Sequence, residues 1–318
     1  MTEITPWHWA GFVICILFFI ALDLGAFSRR SKALSFTQAL AWSSLWVGLA
    51  LLFALGMSHW RGPVAATQFV TGYLIELSLS LDNILVIALI FSAFKVPEAQ
   101  QHPVLVWGIL GALVMRGIMI GLGAALIHQF AWVLYVFGSF LVFTGIKMAF
   151  SQHTPVNPDK HPVVRLARKF FPVSPDFDGA RFLTTYHGRR ALTPLALVLL
   201  LVESSDLIFA VDSVPAVFSV TRDAFIVFTS NVFAILGLRS LYFLLAGAMA
   251  YFRYLKFGLS VVLVFVGLKM LLEPHGSEPR WFQYDIPNGL SLLIIAAILG
   301  LAMLVSVAAA RRETVRRA

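Results

Sequence analysis

The chain has 318 residues, 59% of them hydrophobic and only 13% charged, with a mean hydropathy of +0.85. So few charges exclude a dispersed soluble domain and point to an all-α, polytopic membrane protein. The net charge of +8 would suit a nucleic-acid partner, but the placement of the bases answers to membrane orientation instead.

Nine apolar segments have spanning length. The first two, about 8–27 and 39–57, form a pair of N-terminal transmembrane helices within 1–63. Cys15, the single cysteine, lies in the first of them; it supports no disulfide or thiolate metal site and reads as a small core residue. Glu3 precedes that run while Arg29, Arg30 and Lys32 follow it, the reverse of a signal peptide's charge order. Asp23, just before those bases, reads as an interface residue.

Segments 64–94, 104–127 and 130–150 form a three-helix unit spanning 64–150. Its first segment carries Glu76-Leu-Ser-Leu-Ser-Leu-Asp82-Asn83. Glycines 108, 111, 117, 121 and 123 in the second segment read as close helix packing. A basic loop, 151–192, follows, with prolines at 155, 158, 162, 172 and 175; it is too polar to span and reads as a partly helical soluble excursion. Segments 193–220, 224–250 and 255–272 form a second unit, 193–272. Its first segment carries Val202-Glu-Ser-Ser-Asp206-Leu-Ile-Phe-Ala-Val-Asp212-Ser-Val-Pro215. The region 273–318 holds the last span, about 287–310, and a basic tail.

Of the 24 lysines and arginines, seventeen fall on one side of the membrane if the N-terminus is outside, three (Arg61, Arg222, Arg280) on the other and four within spans. The positive-inside rule then gives N-out, C-in. The two units also repeat: Phe143-Thr-Gly-Ile-Lys-Met148 recurs as Phe265-Val-Gly-Leu-Lys-Met270, Ile109-Leu-Gly111 with Arg116 as Ile235-Leu-Gly237 with Arg239, and Glu76/Asp82 as Asp206/Asp212. Three spans per unit reverse the orientation of the second copy, so the plan is an inverted-topology repeat, common in secondary transporters.

A charge at the bilayer centre costs about 2.5–3.5 kcal/mol on insertion scales, so Glu203, Asp206 and Asp212 within one apolar run need a reason. At about 100° per residue, Glu203, Asp206 and Ser213 share a stripe and Asp212 points nearly opposite; Glu76, Ser80 and Asn83 share another, from which Asp82 diverges. Pro215 removes one helical hydrogen bond, so a helix break near it is expected, turning Asp212 inward. The available groups are carboxylates, the Asn83 amide, the hydroxyls of Ser204, Ser205 and Ser213, and backbone carbonyls. These hard oxygen donors suit Mg²⁺, Ca²⁺ or Mn²⁺ rather than Cu⁺ or tight Zn²⁺. The spans hold six acids against four bases, a deficit one divalent cation would neutralise. The candidate metal ligands are therefore Glu76, Asp82, Asn83, Glu203, Asp206 and Asp212, supported by Ser213, Arg116 and Arg239. The plainer alternative is structural pairing, Glu76 and Asp82 with Arg116, and Asp206 with Arg239. Lys147 and Lys269 lie near span ends, where snorkelling explains them as well as a site does.

The motifs at 76–83 and 202–215, with Ser230-Asn-Val-Phe-Ala-Ile-Leu-Gly-Leu-Arg-Ser-Leu-Tyr242, resemble the TerC family of bacterial integral membrane proteins over nearly the whole chain, and within it the Alx branch. The family is named for tellurium resistance and associated with manganese export. The resemblance implies an inner-membrane Mn²⁺ exporter, not an enzyme, with no prosthetic group and no nucleic-acid partner. The acids it implicates are Glu76, Asp82, Glu203, Asp206 and Asp212; proton coupling is left open, as is selectivity against Ca²⁺ and Mg²⁺. Two rivals stand beside it: an intramembrane aspartate-based enzyme, for which the Gly-x-Gly-Asp signature is lacking, and an assembly factor that docks a resistance complex through the 151–192 loop.

Overall fold

The computed structural model describes residues 4–28, 36–151, 161–186, 188–246, 255–274, 283–284 and 286–317, with backbone alone at 22–28, 246 and 310–317. Asp23 and half of the bases that fix orientation (Arg29, Arg30, Lys32, Lys160, Arg253, Arg280 and those at 311–317) lie outside the described side chains.

The architecture is nearly all helical. Seven described helices are long and apolar enough to cross a membrane: α2 (Phe36–Arg61), α3 (Pro63–Ala93), α4 (Glu98–Gln129), α5 (Val133–Phe150), α7 (Pro194–Phe218), α10 (Leu255–Leu272) and α11 (Asn288–Arg317). An eighth is obtained if α8 (Ala224–Leu236) and α9 (Leu238–Ala246), bent by 41° at Gly237, count as one span. The remaining expected span is α1 (Pro6–Ser28), a 23-residue helix whose side chains are described over Pro6–Ala21. Cys15 is exposed on α1, contrary to its reading as a core residue, because Phe12, Ile16 and Ile20 form the inward stripe.

The excursion after α5 contains helix α6 (Pro162–Phe170) and an antiparallel hairpin, β1 (Leu183–Tyr186) with β2 (Arg189–Leu192), in register Leu183 to Leu192. The hairpin departs from the all-α expectation. The excursion is anchored where Val164 and Ala167 of α6 join the core formed by the end of α3, the start of α4 and the start of α7.

Helix starts follow local chemistry. Pro63, Pro162 and Pro194 open α3, α6 and α7 at positions where no amide donor is needed. Thr193 accepts from the Ala196 amide at 3.3 Å, and Asp223 caps α8 through the Phe225 and Ile226 amides. Asp223 also pairs with Arg61 at 2.6 Å, tying the end of α2 to the start of α8.

The centre is built by α3, α4, α7 and α8. Small residues set the helix directions. Gly108, Gly111 and Gly123 of α4 face Val202, Glu203 and Phe218 of α7, so these two helices run parallel. Gly72 near the start of α3 meets Val217 at the end of α7, and the end of α3 shares a core with the start of α7, so α3 and α7 run antiparallel. The α5–α10 pair is tighter still: a Cβ at Gly267 would lie 2.7 Å from the Gly138 carbonyl oxygen, and one at Gly145 would lie 2.8 Å from the Ser260 carbonyl oxygen. Position 138 meets 267 and 145 meets 260, so α5 and α10 are antiparallel. Exchanging α3, α4, α5 with α7, α8, α10 maps the helix contacts onto one another: α4–α7 becomes α8–α3, α5–α7 becomes α10–α3, and α5–α10 returns itself. Helices α1, α2 and α11 lie outside this exchange: α1 and α2 join a core with α3 and α8, and α11 lies against α10 and α3.

Candidate functional site

Arg116 is the hub of the central helices. It lies on α4, is 1% exposed, and is among the largest fully buried side chains. Its Nε and Nη2 donate to the two carboxylate oxygens of Asp206 on α7, at 3.1 and 2.8 Å, a bidentate fork. Its Nη1 pairs with Glu76 on α3 and reaches the Ser213 hydroxyl on α7 at 3.2 Å. Asn83, seven residues beyond Glu76 on the same face of α3, accepts from Arg116 Nη2 at 3.3 Å and donates to the Leu79 carbonyl, in the amide orientation that satisfies both groups. Glu76, Asp206, Ser213, Asn83 and Arg116 thus form one buried constellation across three helices. Two carboxylates against one guanidinium leave it with a formal charge of −1.

Its polar groups are not all used. Glu76 Oε2 and the Ser80 hydroxyl, one turn further along α3, are buried without a hydrogen-bond partner. Both polar atoms of Asn231 on α8 are in the same condition, at 1% exposure. Asn231 is flanked by Phe228, which meets Gly117, and by Ile235, which meets Ile109 and Ala112, so it faces α4 at the level of Arg116. A buried amide with both ends unanswered is costly and calls for an explanation. Sequence reasoning passed over Asn231 because an asparagine in an apolar helix carries no formal charge to draw notice.

The other acids are placed differently. Glu203 lies one turn before Asp206 on α7, and its carboxylate rests against the backbone of Gly111. Asp212 faces α5, where it interacts with Thr144 and Lys147. This corrects the expected break: α7 is continuous from Pro194 to Phe218, Pro215 falls in its last turn, and Asp212 stays on the side opposite Asp206. Asp82 lines a small cavity with Lys256, Leu255 and Leu259, towards α9 and α10. Among the described residues, no group of three or more His, Cys, Asp and Glu is placed to hold a metal ion. Ser204 and Ser205 return their hydroxyls to the Leu201 carbonyl, at 2.9 and 2.8 Å.

The alternative pairing is met in part. Glu76 pairs with Arg116, but so does Asp206, and Arg239 instead places Nη1 3.0 Å from His102 Nε2. Lys269 is buried and bonds the Asn288 side chain, at the start of α11, at 2.9 Å.

Cavities lie at both ends of α7. One of about 580 Å³ adjoins its start, between Pro194 and Leu197 of α7, Phe94, and Arg168, Phe171 and Phe177 of the excursion. Another of about 190 Å³ adjoins its end, lined by polar Gln68, Ser219, Thr221, Arg222, Glu273 and Asn288. The Arg116 constellation lies between them along the helix.

Residues 61–314 match the family described as integral membrane protein TerC family. An uncharacterized membrane protein, STKORF319, of Myxococcus xanthus is 50% identical over 96% of this chain and 94% of its own. A putative membrane-bound redox modulator Alx of Escherichia coli (strain K12) is 46% identical over 95% of this chain and 94% of its own. An uncharacterized membrane protein of Rickettsia bellii is 37% identical over 91% of this chain and 96% of its own. No solved structure matches the chain.

Proposed function

The chain belongs to the TerC family of integral membrane proteins, and on that premise we propose that it exports a hard divalent cation, Mn²⁺ foremost, across the bacterial inner membrane. The observation that carries the reading is the buried pair Glu76 and Asp206, held on two antiparallel helices whose contacts interchange with those of the other half. Carboxylates deep in a bundle mark ion pathways more often than structure. A site between two oppositely oriented halves is the plan of alternating access.

In this reading the N-terminus is outside, spans α3–α5 and α7–α10 are the inverted repeats, and the cation meets Glu76 and Asp206. Glu203, next along α7, lies on the approach from the cavity at the start of that helix. The polar cavity at its end offers a route away. Asp82 and Asp212 sit at exchanged positions against α10 and α5, where they serve the movement of the halves or its proton coupling. Oxygen donors select hard cations; among these, Mn²⁺ is the one the family resemblance implies.

The test is Mn²⁺ efflux from proteoliposomes and Mn²⁺ accumulation in cells. Asp206→Asn is expected to lower efflux at least tenfold without loss of folded protein; efflux at the unaltered rate would refute the assignment.

A redox role of the kind in the relative's name would need an electron carrier other than a dithiol, since the chain has one cysteine. The aspartate-enzyme alternative wants two aspartates facing each other; Asp206 is instead forked by Arg116, while Asp82 and Asp212 face different helices.

A further inference from the structure

We infer that Arg116 is a tethered counter-cation, which takes the carboxylates between transport events and so lets the protein return without cargo. The inference rests on the transporter reading and specifies how that site is reset.

Three observations on one side chain carry it. First, the guanidinium engages the oxygens a divalent cation would need: both of Asp206 and one of Glu76. A cation that takes both carboxylates must displace it. Second, Arg116 has two neutral partners besides the acids, the Ser213 hydroxyl at 3.2 Å and the Asn83 amide oxygen at 3.3 Å. A guanidinium pushed off the carboxylates keeps these acceptors, which an isolated buried charge would lack. Third, Glu76 Oε2 is buried and makes no hydrogen bond, so one carboxylate oxygen stays open to an arriving ion while the other holds the arginine.

The charges explain why such a device is needed. Without the guanidinium the pair carries −2 in a low-dielectric setting, which opposes any rearrangement that keeps it dry. With the guanidinium the charge is −1, and with a divalent cation in its place the carboxylates are neutralised. Arginine suits the task because it stays protonated when buried and its planar fork matches a carboxylate. Cargo and arginine then alternate on one pair of acids, and the protein can complete a cycle in either condition.

The prediction separates two assays that a merely structural arginine would move together. Full-length protein is reconstituted in liposomes. Net Mn²⁺ efflux requires the cargo-free return; exchange of tracer Mn²⁺ against Mn²⁺ outside does not. Arg116→Gln is expected to lower net efflux at least tenfold more than it lowers exchange. Arg116→Lys, which restores the charge without the fork, is expected to recover part of the net efflux. Equal loss of both activities in folded Arg116→Gln protein, or no loss of either, overturns the inference. If Arg116→Gln does not fold, Arg116→Lys decides: net efflux must fall more than exchange. If the unaltered protein shows neither activity, the transporter reading itself fails, and this inference with it.

Discussion

At the scale of single residues, Gly111 shows how a site can depend on an atom that is missing. A Cβ there would collide with the Glu203 carboxylate. Because that carboxylate is the free end of a flexible side chain, Gly111→Ala is expected to fold and to push Glu203 aside. Mn²⁺ efflux should fall about tenfold, about 1.4 kcal/mol in the barrier, while Gly121→Ala, with nothing within 4 Å of the added atom, leaves it unchanged. The acids were legible in the sequence because charge in an apolar run is conspicuous. Their stripes were legible too: Asp206 with Ser213 and Glu76 with Asn83 do converge, on Arg116. The hub role of Arg116 was not, since which helix faces which is decided by tertiary packing. A guanidinium can reach two helices at once, and no pairwise spacing along one chain reports that.

Among the elements, one motif has two outcomes. Ile109-Leu-Gly111 lies inside the unbroken α4, whereas Ile235-Leu-Gly237 ends α8 at a 41° bend. The Ser240 hydroxyl accounts for part of the difference: it donates to the Gly237 carbonyl at 2.9 Å, and such back-bonding beside glycine favours a kink. The sequence argument put its break at Pro215 because proline is the stronger helix breaker in isolation. A proline in the final turn of α7 frees only the Val211 carbonyl, and the helix simply ends a few residues later. The glycines of α5 and α10 were readable as a repeated motif, but not as points of close approach: Gly145 meets Ser260 and Val264, and Gly267 meets Gly138 and Val142. Gly267→Ala would drive a Cβ against the backbone of Gly138, which cannot swing away as a side chain can. Destabilisation of about 1–3 kcal/mol is expected, in the range of overpacked cores, read as a lowered unfolding temperature in detergent. Gly300→Ala, with open space around it, should leave that temperature where it is.

For the molecule as a whole, composition alone identified a membrane protein, and the hydrophobic segments placed the helices to within a few residues. The span count was less readable: an apolar run does not disclose that α8 and α9 bend apart. The β-hairpin was missed because its four-residue strands alternate too briefly to stand out from a polar loop. Orientation rests on the distribution of the bases along the chain, and a labelling experiment tests it. In a Cys15→Ser background, Asp178→Cys in the excursion is expected to react with a membrane-impermeant maleimide only when the cytoplasmic face is exposed. Labelling of intact spheroplasts from outside would reverse the proposed topology.

On the proposal of a carrier with two inverted halves, the Arg61–Asp223 clamp and the packing of α1 and α2 on α3 and α8 would have an energetic meaning. Perfect interchange would make the two directions of opening equal in free energy, like the two sides of a balanced beam. Helices α1, α2 and α11 lie outside the exchange and load one side of that beam. On that proposal they would set which way the protein rests, and a rectifying bias would come from these outlying helices while the acids at the centre treat both faces alike.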